Sequence, residues 1–456
     1  MTILTNLVRR GGLSCLCLLL PGVLAWAQVG VSTASGSAQV EQTLTLDQAI
    51  SLATANEPAF AAAQAEMQAA KLDRTNARVA MLPTATYHNQ ALYTEPNGVT
   101  ASRIGQTTNA PSPAFIANNA VREYASQGVF NEAVGFSKVG AIKLADANAM
   151  RAEAELEIAR RGLVNTVVAL YYGLGANAEK VTIAERALAE ADRFLDITQK
   201  RESARESAHA DALKAQLEEQ QRQRELADAQ LAADKARLEL AVLLYPDPNT
   251  SFTLAPPAAP ALLPDRAGIE TLARQNNPEI RSALASLGAS KAETYSAKAA
   301  LLPDLGLNFT YGIDATNFGA NGPDGIHNLG YSMSAQLDIP VWDWLTTERN
   351  IKQSRLRENA ATVALTATQR RLMANLTEFY AEADAANRQM TSYDASLITA
   401  RESMRLTTLR YVDGESTVLE VVDAQSTLIS AENAQIESRV RYQLALANLQ
   451  TLTGKL

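Results

Sequence analysis

The segment SLATANEPAFAAAQAEMQAAKLDRTNARVAMLP, residues 51–83, returns 220 residues later as TLARQNNPEIRSALASLGASKAETYSAKAALLP, residues 271–303. Twelve of the 33 positions are identical without a gap, among them Leu52, Asn56, Pro58, Lys71, Leu82 and Pro83, matched by Leu272, Asn276, Pro278, Lys291, Leu302 and Pro303. Proline suits the first turn of a helix and stops one that reaches it. Residues 58–82 and 278–302 are therefore expected as helices. Further on the spacing is 209: Thr198, Arg201, Glu206, Ser207, Ala215 and Gln216 meet Thr407, Arg410, Glu415, Ser416, Ala424 and Gln425. A period near 200 is too long for a solenoid unit. The chain divides into repeat 1 (28–245), a proline-rich linker (246–266) and repeat 2 (267–456).

Beyond each repeated helix the period changes. Leu305, Leu307, Phe309, Tyr311 and Ile313 alternate with Gly306, Asn308, Thr310 and Gly312, and the run from Asn328 to Val341 alternates likewise. Period two predicts strands with one apolar and one polar face, within a hairpin at about 304–343. Such runs reach the roughly 9–11 residues that cross a membrane as a tilted strand. Repeat 1 offers a weaker hairpin at about 84–136, with strands near 84–94 and 121–136 and a polar loop at 95–120.

Long proline-free stretches follow, at 138–202 and 347–411, each 65 residues or about 98 Å of helix. Return helices are expected at 207–245 and 416–454. Helices 58–82 and 207–245 total 64 residues. Laid end to end they match one long helix, and the small, alanine-rich faces suit close coiled-coil packing. Near the start, Thr45 and Gln48 form a capping-box pattern that opens a short helix to about Ala55.

Residues 1–27 have the form of a secretory signal: Arg9 and Arg10, a short apolar core from Gly12 to Leu24 broken by Pro21, then Ala25-Trp26-Ala27. Mature protein is expected to begin at Gln28. Both cysteines, Cys15 and Cys17, lie in that signal, so the mature chain has neither thiol nor disulfide. Losing two arginines takes the formal charge from −8 to −10, which argues against nucleic acid as a partner. Residues 28–43 lack helical periodicity and are expected as a leader. Outside the signal no apolar run is long enough for a membrane helix, so any membrane crossing must use strands. Four strands cannot close a barrel, which needs about eight. Chains would have to share one.

The ordered, doubled set of features resembles the TolC-like outer-membrane channel-tunnel proteins of efflux and type I secretion, over nearly all of the mature chain. The marks are Asn56 and Pro58 with Asn277 and Pro278, Leu82-Pro83 with Leu302-Pro303, and Leu337-Asp338-Ile339-Pro340-Val341-Trp342-Asp343. To these are added Tyr411-Val412-Asp413-Gly414, Val421-Val422-Asp423-Ala424-Gln425, and then Ala445, Ala447, Leu449 and Gly454. The resemblance implies a mainly α protein with a small β part, whose long antiparallel coiled-coil helices form an α-barrel. It implies a homotrimer in which four strands per protomer build a shared twelve-stranded transmembrane β-barrel. The location implied is the bacterial cell outer membrane, with the helices extending into the periplasm. Outer-membrane lipid, a periplasmic adaptor protein and an inner-membrane transporter are the implied partners, and no cofactor or metal is implied.

Particular residues follow from the same resemblance. Glu420 and Asp423 would form an acidic ring at the pore entrance. A plainer reading stays open, since Thr417 with Glu420 also fits a helix cap. Asp211 and Tyr411 match a pair that holds neighbouring tips closed. The tips that would dock the adaptor are Ser203, Ala204, Arg205 and Glu206 in repeat 1, and Asp413, Gly414 and Glu415 in repeat 2. This chain departs from the pattern in three places. The first tip lacks the usual glycine, repeat 1 ends in Leu244-Tyr245, and Ser416 stands where the family has arginine.

His88, His209 and His327 are too scattered for a metal site in one chain. Trp342 and Trp344 fit either an interfacial aromatic girdle or packing between strands and helices. No Ser/His/Asp order, metal spacing or phosphate loop suggests an enzyme. A structural coiled-coil or adhesin stalk is the alternative; it accounts for the helices but not for the two hairpins.

Overall fold

A computed structural model describes residues 42–93, 122–256, 261–315, 317–322, 325 and 327–454. The signal, the leader up to residue 41 and the loop 95–120 lie outside the described residues. The body described below is Thr43–Leu456, apart from a separate unit ending at Gln42.

Repeat 1 consists of β1 (Gln42–Leu44), α1 (Leu46–Asn56), α2 (Pro58–Val79), β2 (Thr84–Tyr93), β3 (Arg122–Val134), α3 (Phe136–Ser203) and α4 (His209–Leu244). Strand β4 (Phe252–Leu254) follows. Repeat 2 consists of α5 (Arg266–Asn276), α6 (Pro278–Ala299), β5 (Asp304–Ala315), β6 (Leu329–Asp338), α7 (Thr346–Val412) and α8 (Val418–Thr453). The segment read as linker thus holds a strand and the start of a helix. Residues 42 and 43, the end of the segment read as leader, join Leu44 in β1, which pairs with β4. Three-residue strands carry no readable alternation. Their support is tertiary, since the Tyr171 hydroxyl donates to the Leu44 carbonyl at 3.1 Å.

The local chemistry explains the helix starts. Thr45 and Gln48 cap each other reciprocally at the head of α1. Pro58 and Pro278 occupy first-turn positions, and the Asn277 side chain accepts from the Ile280 amide at 2.9 Å. Helix α3 has 68 residues and α7 has 67, so each is about 100 Å long.

Helices α2 and α4 both pack along α3, while α6 and α8 lie between α3 and α7. The Asn56 side chain donates to the Leu244 carbonyl at 2.6 Å and joins the α1/α2 corner to the end of α4. Two cores mark the level where the short helices meet. One gathers Leu163, Val167, Leu240 and Ala53; the other gathers Leu372, Leu376, Leu449 and Ala273. These sets are repeat equivalents, residue for residue. Arg161 crosses between the repeats. Its guanidinium donates to the Thr451 carbonyl at 2.8 Å and the Asn276 carbonyl at 3.1 Å, and pairs with Glu157 at 2.8 Å. It thereby satisfies carbonyls that two helix ends leave without intrahelical donors. Gly454, with φ 74, sits so close that a Cβ there would collide with the guanidinium.

The four long strands form a single antiparallel sheet in the order β2-β3-β5-β6. The two hairpins fuse through β3 and β5, with Phe130 opposite Phe309 and Phe309 opposite Met333. Strand β6 stops at Asp338, because Pro340 cannot donate to a ladder. One face carries Phe130, Phe309, Met333, Tyr87, Tyr311 and Tyr331. The other carries Asn131, Asn308, Ser334, Thr310, Ser332 and Gln127. Side chains bond across strands on this second face: Asn308 to Asn131, Thr310 to Ser332, and Gln127 to Asp314 at 3.1 Å.

Candidate functional site

Two features are built for interaction: the turns joining α3 to α4 and α7 to α8, and the two-faced sheet at the other end of the long helices. Both turns are Schellman ends. The Glu206 amide donates to the Arg201 carbonyl and the Glu415 amide to the Arg410 carbonyl, each at 2.8 Å. Inner bonds run from Arg205 to Glu202 and from Gly414 to Tyr411. The left-handed residue is Gly414 in the second turn and Arg205 in the first, with φ 81 and φ 64. The missing glycine therefore changes the residue and not the turn. Ser203, Ala204, Arg205, Glu206, Asp413, Gly414 and Glu415 are all exposed.

Tyr411 is buried between the two repeats. Its hydroxyl lies 3.2 Å from the Thr198 hydroxyl, and its ring centroid is 5.0 Å from that of Phe194. The Arg201 guanidinium stands 5.0 Å over the ring and donates to the Tyr411 carbonyl. Val418, Val421 and Ala215 complete this small core. Asp211 accepts from Ser207 at 3.4 Å within its own turn. Within one chain the structure gives Asp211 and Tyr411 separate partners. Thr198, Arg201 and Phe194 were not singled out as partners of Tyr411. A signal existed for two of them, since Thr198 and Arg201 are identical across the repeats.

Glu420 and Asp423 are exposed, three residues apart on the first turns of α8. The Glu420 carboxylate accepts from the Ser416 hydroxyl at 2.6 Å and from Thr417 at 3.3 Å. The Ser416 bond first, then Thr417 and the nearby Arg410 charge, hold this carboxyl below the usual carboxylate range. Thr417 also accepts from the Glu420 amide, so the capping reading is realised. Capping leaves the charge exposed and is compatible with a pore role. Ser416 thus has a defined partner in this turn.

Further along the wall, Glu432 of α8 is almost fully buried. It receives Arg186 from α3 and Arg401 from α7, both at 3.2 Å, and so clasps three helices. The sequence spacing did not indicate it.

At the far end, Trp342 and Trp344 meet edge to face at 5.8 Å and are exposed. Trp344 and Leu345 both take left-handed backbone, with φ 58 and 62. Two bulky residues in succession hold this conformation only where the surroundings require it. Here they turn the chain from β6 into α7, whose first amides are capped by Asp343: its carboxylate accepts from the Thr347 amide at 2.7 Å. Among the described residues, no group of three or more His, Cys, Asp and Glu side chains is placed to hold a metal. No helix among them is long and apolar enough to cross a membrane.

With this geometry in hand, comparison with known proteins is informative. The sequence profile of the family described as outer membrane efflux protein matches residues 271–455, nearly all of repeat 2. Protein CyaE of Bordetella pertussis is 29% identical over 235 residues, covering 51% of this chain and 48% of that protein. The chain spans about half the length of the curated relatives it matches, or less. The outer-membrane channel OprN superposes with a TM-score of 0.77 at 20% identity, over 90% of each chain. The CmeC outer membrane channel of Campylobacter jejuni gives 0.77 at 15% identity, over 90% of this chain and 85% of that one. The fold shared with these channels therefore extends through both repeats.

Proposed function

We propose that the chain is one protomer of a homotrimeric outer-membrane channel-tunnel, which carries substrates from an inner-membrane transporter and a periplasmic adaptor out of the cell. The observation that carries this reading is the four-stranded sheet. Strands β2 and β6 each have ten residues, enough to cross a bilayer when tilted, and each is an edge with one partner only. An open edge is not tolerated in hydrocarbon. Exposed Tyr87, Tyr331 and Met333 on one face suit lipid, while amides and hydroxyls on the other suit a wet lumen. Joining β6 of one protomer to β2 of the next removes both edges. Four strands from each of three protomers would give a closed barrel, with the sheet's apolar face outward.

The helices then continue the tube into the periplasm. The exposed tips are where an adaptor would dock, and Tyr411 with Asp211 would set how tightly they close. Glu420 and Asp423 would line the entrance. A conduit needs no catalytic group, and none is assigned. Outer-membrane extraction in mild detergent, followed by mass measurement and planar-bilayer recording, tests the proposal. A trimer that conducts is expected. A stable monomer, or a protein found in the soluble extract, would favour the stalk reading and overturn this one.

A further inference from the structure

A groove between α3 and α7, with α8 at its base, is built for a ligand, and we infer that it binds a single-chain anionic amphiphile: an alkyl chain with one carboxylate-like head. Its volume is about 490 Å³, within the range of small-molecule sites. Each of the three helices lends it one face, since Phe194 and Ile197, Arg401, Met404, Arg405 and Thr408, and Val421, Gln425 and Leu428 follow one another at three- and four-residue steps.

Apolar and cationic groups are sorted within it. Phe194 and Val421 are buried, and Ile197, Met404 and Leu428 are half-buried. Arg193, Arg401 and Arg405 are exposed along the same groove. Long cationic side chains cover apolar surface with their stems and keep their heads in water. A greasy floor under a charged rim suits a molecule with a tail and a head.

The charges around the groove fix the sign of that head. Buried Glu432 engages Arg186 and Arg401, and Glu402 engages Arg405 at 2.7 Å. Glu190 is the one acid lining the groove, and Arg193 acts on it through charge alone, without an ion pair among the described residues. Four arginines therefore stand against three carboxylates, and the cation left over is that of Arg193. One negative head balances it, in a chain whose formal charge is −8 overall.

Position fixes the source. About 15 Å of helix separates Arg193 from Ser203 at the tip, and about 85 Å separates it from Phe136 beside the sheet. With the strands in the bilayer, as proposed above, no membrane lipid reaches the groove, so its occupant comes from solution. Phe194 and Val421 also belong to the small core around Tyr411. The bound tail thus lies against the core that ties the tips, and it touches repeat 1 through α3 and repeat 2 through α7 and α8.

The test photolabels the full-length chain, purified in a non-ionic detergent, with dodecanoate carrying a diazirine at the end of its chain. Adducts are mapped by peptide mass and are expected in segments 190–197 and 421–428. Unlabelled dodecanoate should compete them away, whereas dodecyltrimethylammonium, with the same chain and the opposite charge, should not. Arg193→Gln should raise the half-saturating concentration roughly tenfold, as loss of one charge-assisted bond requires. The Thr408 hydroxyl donates only to the Met404 carbonyl of its own helix. Thr408→Trp fills the groove and should abolish the adducts at unchanged native mass. Adducts confined to the strands, equal competition by both amphiphiles, or an Arg193→Gln chain that labels like the parent would each overturn the site. Labelling is read within one chain, so its loss leaves the channel reading standing.

Discussion

Arg205 and Gly414 hold the same place in the two tip turns, and both have left-handed backbone, with φ 64 and 81. Only glycine adopts that region without cost; other residues lose roughly 1–2 kcal/mol. The first tip therefore carries strain that the second does not. Arg205→Gly should stabilise the protein by about 0.5–1 kcal/mol, the gain being trimmed by glycine's freedom in the unfolded chain. Gly414→Ala should destabilise it by about 1 kcal/mol, through backbone strain, because a Cβ there would meet Arg201 only at ordinary contact distance. Thermal unfolding followed by circular dichroism in detergent measures both. Equal and negligible shifts would show that neither turn is rate- or stability-determining.

Glu432 joins α3, α7 and α8 through Arg186 and Arg401. Removing its charge leaves two arginines facing each other across a buried amide. Loss of one partner from a fully buried pair costs about 3–5 kcal/mol. Here both arginines are more than half exposed, so solvent screens them. Glu432→Gln should therefore cost about 1–2 kcal/mol, read as a lower melting temperature, and adding Arg401→Gln should recover part of it. A double variant as unstable as the sum of the singles would show that Glu432 and Arg401 are not coupled.

Tyr411 ties the tips of the two repeats through three distinct contacts, so its variants should separate them. Tyr411→Phe removes the bond to Thr198 but keeps the ring on Phe194 and under Arg201. Because Thr198 also donates to the Phe194 carbonyl, it keeps a partner, and the cost should be about 1 kcal/mol or less. Arg201→Ala removes the cation over the ring and the donor to the Tyr411 carbonyl together. It should loosen the tips more and raise resting conductance in planar bilayers above that of Tyr411→Phe. The reverse order would place the restraint in the hydroxyl.

What could be read in advance, and what could not, divides along a physical line. Helix starts at Pro58 and Pro278 and the alternation through Phe309 and Met333 are local, so the residues themselves announce them. The fusion of two hairpins into one sheet was not legible, because Phe130 and Phe309 meet across 179 positions of sequence. The partners of Arg161 are backbone carbonyls, which leave no trace in side-chain identity. Glu432 is one of four acids on α8, and nothing in its spacing sets it apart. Its burial depends on Arg186 and Arg401 arriving from two other helices. At the tips, the repeat identities Thr198 and Arg201 were visible, but nothing local said that Tyr411 would lie between them.

The proposed acidic entrance gives the most direct test of function, because its charge can be followed with pH. Three protomers would place six carboxylates from Glu420 and Asp423 around one axis and focus a negative potential there. Multivalent cations added on that side should block current, and Glu420→Gln with Asp423→Asn should relieve the block without changing trimer mass. Glu420 also predicts where the block fades. Its carboxyl is held below the ordinary range, chiefly by the Ser416 hydroxyl. A depressed folded-state value means the charge, and the stability tied to it, persist above the unfolded value of about 4.3 and are lost only as pH falls through the lower folded value. Block should thus survive acidification that would neutralise a free glutamate. Ser416→Ala removes the largest cause, so the midpoint for loss of block should move upward toward the ordinary glutamate value. Asp423 keeps part of the ring in both proteins, so the comparison is cleanest in an Asp423→Asn background. A midpoint that does not move with Ser416→Ala would detach Glu420 from the block. Block that survives the double variant would leave Glu420 with its bonds at the head of α8 and Asp423 with no part in the block.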